Sequence, residues 1–138
     1  HPPRYINDLL ALADTHDLVL GSRWVSGGGT ENWPLHRQFI SRAGSLYART
    51  VLGVGIKDLT GGFKCFNRRV LEAIDLDSVQ STGYAFQIEM TYRALKRGFT
   101  VVETPIVFVE REQGASKMSR RIVLEAVARV PKLRAEIR

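Results

Sequence analysis

The hydrophobic positions fall in short blocks whose period changes along the chain. In residues 3–14, Ile6, Leu9, Leu10 and Ala13 recur at three- and four-residue steps behind a pair of prolines, which predicts an amphipathic helix with proline at its start. The run DLVLGSR (17–23) is short, apolar and closed by Gly21, and reads as a buried strand. WVSGGGTENWP (24–34) combines consecutive glycines with Asn32 and Pro34 and reads as loop. A helix follows over 35–53, with Leu35, Phe39, Ala43, Leu46, Tyr47 and Thr50 in three-four rhythm and Gly53 as its stop.

The remainder alternates in the same way. KDLTGG is a turn, FKCFN a short strand, RRVLEAID a short helix, and 81–98 a longer helix stopped by Gly98. FTVVET and PIVFVE read as strands on either side of Pro105, and 118–138 as an amphipathic C-terminal helical segment interrupted near Pro131. Strands alternating with helices predict a layered α/β domain, with two or three layers equally compatible with the pattern.

Composition narrows the function. At 138 residues, 44% hydrophobic and 25% charged, the chain fits one domain able to bury a core. The net charge of +6 favours a polyanion, an anionic membrane surface or a phosphate-bearing ligand. A single cysteine excludes an internal disulfide and fits a reducing, cytosolic setting. No apolar run approaches the ~18 residues of a membrane span, and no signal peptide is visible. The chain opens on HPPRYINDLL without a methionine, and is expected to be part of something longer.

The candidate chemistry is cationic. Arg23 ends the first strand. Arg37 and Ser41 are one helical turn apart and share a face, whereas Arg42 points elsewhere. Arg111 ends the last strand and Lys117 follows a Gly-Ala-Ser turn. If the strand ends lie side by side, Arg23, Arg37 and Arg111 converge where open α/β sheets bind ligands. Arginine suits phosphate because its planar fork donates two hydrogen bonds at once. For each arginine alone, the competing reading is a solvated basic surface.

Asp58 and Thr60 precede two glycines in DLTGG, which permit either a structural turn capped by Asp58 or close approach of a ligand. Gln87 and Glu89 lie near a helix start, where the helix dipole favours a carboxylate; most such glutamates are simply solvated. The three histidines show no metal spacing, and Cys65 reads as a small buried hydrophobe. No nucleophile–base pair and no phosphate loop of the Walker kind is present. Trp24 and Trp33 flank the glycine loop and could pack on it or touch an apolar ligand or lipid.

Taken in order, DLVLGSRW, the glycine loop, NWPLHRQFISRAGSLYAR, DLTGGFKCF, GYAFQIEM and VVETPIVFVEREQGASKM resemble the polyprenol-phosphate (dolichol-phosphate) mannose synthases, the actinobacterial ones above all. The resemblance covers nearly the whole chain. It implies the C-terminal portion of a GT-A nucleotide-sugar transferase fold, a mixed sheet flanked by helices. The implied activity is inverting transfer of mannose from GDP-mannose to a polyprenyl or dolichyl monophosphate, with Mg²⁺ or Mn²⁺. HPP at 1–3 resembles the residues just after the family's metal-binding Asp-x-Asp motif. Residues 1–138 are therefore expected to be a partial catalytic domain, inactive alone, with the nucleotide-binding half and the metal ligands upstream of His1 and no metal ligand within the chain.

The same resemblance implies roles for matching residues. Arg23, Arg37 and Ser41 would bind the acceptor phosphate. Arg111 and Lys117 would bind donor phosphate and act in catalysis, with Asp58 and Glu89 as further catalytic residues near sugar and acceptor. A complementing N-terminal segment or a membrane-anchoring partner is expected, with a peripheral location at the cytoplasmic membrane face. The basic stripe around Ile122, Val123, Ala126, Val127 and Val130 could lie on an anionic membrane or pack on the domain.

Two rivals remain at this point. One is a transferase moving glucose or an aminosugar to polyprenyl phosphate. The other is a non-catalytic basic module that binds phosphate or nucleic acid. Nucleic acid is disfavoured because the basic positions are spread over strand ends and turns rather than clustered with exposed aromatics.

Overall fold

The structure, a computed structural model, describes residues 3–109 and 120–137. Strand β1 (Leu18–Ser22) forms the centre of a three-stranded sheet. β3 (Lys64–Phe66) lies antiparallel on one side with Leu18 opposite Phe66, and β4 (Val101–Pro105) lies parallel on the other with Leu18 opposite Val101. All five residues of β1 are buried, which explains why Leu18, Val19 and Leu20 are apolar in succession rather than alternating with polar residues.

Helices cover both faces of this mixed sheet. Leu18 and Leu20 enter the main core with Ala48 and Leu52 of α2 (Leu35–Leu52), Ile88 and Tyr92 of α4 (Gly83–Lys96), and Val130 and Leu133 of α5 (Arg120–Glu136). Val19 points to the opposite face, where α1 (Arg4–Ala13) packs through Tyr5 and Leu9. Each fully buried leucine contributes about 1.5–3 kcal/mol relative to exposure. α3 (Arg68–Ala73) and a single 3-10 turn (Leu76–Ser78) connect β3 to α4.

Three expectations are corrected. The glycine loop contains a strand, β2 (Gly29–Glu31), which pairs in parallel with β5 (Val107–Val109). A turn closed by the Gly28 N–H on the Val25 carbonyl precedes it, and any side chain at Gly28 would collide with the Ser22 carbonyl. The partner strand is some eighty residues away, so local composition carries no sign of it.

The C-terminal helix is the second. It runs through Pro131 without interruption, and Val130 and Leu133 anchor it to the domain. Of the stripe expected on it, Val130 is buried, Val123 and Ala126 are half-buried and Val127 is exposed. Packing on the domain is therefore satisfied for part of the helix.

The third correction concerns α2. Its helix ends as expected, with Gly53 in the left-handed conformation at φ 71°. Its orientation is reversed. The buried residues are Ser41, Ser45, Ala48 and Leu52, whereas Leu35 is 82% and Phe39 74% exposed. The small residues allow close approach to the core, and the large apolar ones are left outside.

Candidate functional site

The site is built at the carboxyl end of β1. Arg23 leaves the strand beside the turn that carries Asp58. Its Nε donates to Asp58 Oδ2 and its Nη2 to Oδ1, each at 2.8 Å, and its own backbone N–H donates to Oδ2 at 2.9 Å. Nη2 also donates to the Thr60 hydroxyl at 3.2 Å. Asp58 is held in turn by Glu103 of β4, whose carboxylate accepts the backbone N–H groups of Lys57 and Asp58. The Asp58 side chain is fully buried and that of Arg23 is 10% exposed. This bidentate pair fixes the guanidinium plane while leaving Nη1 without a hydrogen bond to any described residue.

Trp33 brings the second arginine in. It is buried just ahead of α2, and its ring meets Phe108 of β5 edge-on at 5.3 Å between centroids. Arg37, in the first turn of α2, places its guanidinium carbon 4.0 Å from the Trp33 centroid, and that of Arg23 lies at 5.3 Å. The indole thus serves as a platform for two cations. The sequence named Trp33 only as a flank of the glycine loop; its platform role follows from contacts with β1, α2 and β5 at once.

Two clefts meet here, sharing Arg23, Trp33, Thr60 and Tyr84 in their walls. One, of about 180 Å³, continues past Arg37, Gly61, Gly62, Ile106 and, on β5, Phe108. A side chain on Gly62 would press on the Gln87 amide at 3.3 Å, so the glycines here serve a close approach. The other runs between α2, α4 and α5 and is apolar, walled by Ile40, Tyr47, Ile88, Val123 and Val127, with Ser41 near Arg23. The structure therefore brings Arg23 and Ser41 into one cleft and Arg23 and Arg37 into the other. Tyr47 and Tyr84 were missed as site residues; bulky aromatics on helices read from sequence as core.

The two carboxylates expected in catalysis have other neighbours. Asp58 spends both oxygens on Arg23. Glu89, expected near a solvated helix start, is fully buried in the seam between α4 and α5. Its Oε2 accepts from Arg93 Nε at 2.7 Å, and its Oε1 accepts from the Ser81 hydroxyl and lies 3.6 Å from Arg129 Nη2. Asp58 is thus paired with Arg23, and Glu89 with Arg93 and Arg129. Arg111 and Lys117 lie outside the described residues. Nearby on β3, Lys64 donates to the Gln87 carbonyl at 2.7 Å and to the Thr91 hydroxyl at 2.9 Å. Burial pushes its pKa down to about 7, with the Asp58 carboxylate pulling the other way.

Among the described residues, no three of His, Cys, Asp and Glu come together to hold a metal ion. Asp58 and Glu89 are already committed to arginines, so the described residues do not fit a divalent cation. No described helix is long and apolar enough to cross a membrane.

No family model matches the chain. Individual relatives do. Over 130 residues it is 51% identical to the undecaprenyl-phosphate mannosyltransferase of Micrococcus luteus, covering 94% of this chain and 54% of that protein. Over 131 residues it is 49% identical to the polyprenol monophosphomannose synthase of Mycolicibacterium smegmatis, covering 94% of this chain and 49% of that protein. The chain spans about half the length of the curated relatives it matches. Across nearly its whole length, the chain is related in sequence to the actinobacterial polyprenol-phosphate mannose synthases.

Proposed function

We propose that the chain supplies the acceptor side of a GT-A glycosyltransferase that moves mannose from GDP-mannose to a polyprenyl monophosphate with inversion, at the cytoplasmic face of a membrane. The observation that carries this reading is the apolar cleft between α2, α4 and α5 ending at Arg23 and Ser41. A greasy channel closed by an immobilised guanidinium matches an amphiphile with an apolar chain and a phosphate head. The names of the two relatives supply the sugar and the lipid class.

The chemistry asks little acid–base work of the protein. A phosphate monoester has its second pKa near ~6 and is mostly dianionic at neutral pH, so it is already a nucleophile. An acceptor oxygen attacks the anomeric carbon, the bond from that carbon to the donor diphosphate breaks, and the electron pair leaves with GDP. What the site must supply is alignment and relief of repulsion between two anions. Arg23, clamped by Asp58, would hold the acceptor phosphate. Arg37, stacked on Trp33 in the adjoining cleft, would face the donor side as well, joined by Arg111 and Lys117. A divalent cation belongs to this proposal too; its ligands would lie outside the described residues.

The test is transfer of radiolabelled mannose from GDP-mannose to polyprenyl phosphate by the complete protein. Arg23→Ala is expected to raise the KM for polyprenyl phosphate while leaving GDP-mannose binding intact. Loss of nucleotide binding with an unchanged acceptor KM would overturn the assignment.

A further inference from the structure

Given the acceptor reading proposed above, on which this step rests, we infer that Gly44 sets the specificity of the apolar cleft for a branched chain. The space left by its missing side chain takes the methyl branch of the first isoprene unit, so a prenyl phosphate is accepted over a straight alkyl phosphate.

Gly44 is the one glycine inside α2, and glycine is the poorest helix former after proline. Nothing local requires it. Its φ lies outside the left-handed region, so any residue could adopt its backbone conformation. A Cβ built there would stand in open space, with no atom of a described neighbour within 4 Å. Gly28 and Gly62 differ in this respect, since each faces atoms that a side chain would strike. Close packing therefore does not account for Gly44.

What Gly44 does have is a place in the wall of the cleft. Ile40 and Ser41, one turn before it, and Tyr47, one turn after, line the same cleft, so residue 44 shares the face that meets it. The cleft is narrow, about 50 Å³, and a side chain at 44 would fill much of what is open. Position sets which part of the acceptor lies there. With the phosphate at Arg23 and Ser41, residue 44 is about 4.5 Å farther along the axis of α2. That is the reach of the first few carbons of the chain, and in a prenyl phosphate the third carbon carries the first methyl branch. The surrounding side chains of Ile40, Ile88 and Val123 are hydrocarbon and suit a methyl group. A straight chain leaves the space empty and forfeits those contacts.

The experiment compares radiolabelled mannose transfer by the complete protein to hexahydrofarnesyl phosphate and to dodecyl phosphate. These are saturated chains of equal main-chain length that differ in their methyl branches. The parent is expected to favour the branched acceptor about tenfold or more in kcat/KM, the lower end of what one buried methyl group decides. Gly44→Val fills the space and should bring that ratio close to one, mainly through a raised KM for the branched acceptor, with GDP-mannose binding unchanged. Gly44→Ala should move the ratio the same way by less. It should also raise the melting temperature, because alanine is the better helix former and its methyl group meets open space. Circular dichroism of both variants should match the parent; if the valine variant unfolds, the ratio in the alanine variant decides. A ratio unchanged by substitution, or a parent indifferent to branching, would overturn the inference while leaving the acceptor site in place. A parent that transfers mannose to neither phosphate would overturn the acceptor reading itself, and the role of Gly44 with it.

Discussion

The Tyr47 hydroxyl donates to the Val127 carbonyl at 2.9 Å, and that carbonyl is the one Pro131 leaves without its helical partner. In an unbroken helix the Val127 oxygen would accept from the N–H four residues on, which proline lacks. A residue of α2 therefore supplies the bond that lets α5 continue, and ties together two walls of the apolar cleft. Tyr47→Phe removes only the hydroxyl and should cost about 1 kcal/mol in urea denaturation. If Pro131→Ala is introduced as well, the cost should shrink, because residue 131 then donates for itself. A full cost in the double variant would separate Tyr47 from the proline.

Arg23 and Asp58 form a buried pair at the heart of the site. Removing one partner strands the other charge, so Arg23→Met should destabilise by about 3–5 kcal/mol. Arg23→Lys keeps the charge but loses the fork, and should fold while weakening polyprenyl-phosphate use about tenfold or more. Near-normal acceptor kinetics in a well-folded lysine variant would remove Arg23 from phosphate binding.

Glu89 holds α4 to α5 through Arg93 and Arg129 and is completely buried. Glu89→Gln should lower the melting temperature, the cost being about 3–5 kcal/mol for an unmatched buried charge. Activity measured well below the melting point should change far less. A variant of normal stability and no activity would instead make Glu89 a group that touches substrate.

Lys64 sets a pH dependence. Its pKa falls from 10.5 in the unfolded chain to about 7 in the fold, chiefly through burial. Between those values the unfolded chain holds a proton that the folded one has released, so stability rises with pH across that window. Below pH 7 both states are protonated and this contribution is flat. The slope is at most about 1.4 kcal/mol per pH unit. Urea midpoints for the parent chain and Lys64→Met should diverge in slope between pH 7 and 10.5, the variant being the flatter. Parallel curves would place the shift elsewhere.

The period of the apolar positions determined most of the elements. α1, β1, β3, α4 and β4 lie where the pattern placed them. The cationic character of the candidate site was legible too: Arg23 and Arg37, singled out by residue type, line one cleft. What the pattern could not determine is which side of a helix turns inward. α2 offers an apolar row and a row of serines at equal spacing, and the serines went inside because only small residues allow the close packing seen at Ser41, Ser45 and Ala48. The same holds for β2, whose partner is distant in sequence, and for α5, whose proline is tolerated through a hydroxyl from α2. Asp58 and Glu89 were visible as carboxylates, but their arginines are chosen by tertiary contact between strand end and turn, and between α4 and α5. Local sequence sets what each segment can become, and long-range packing decides which groups it meets.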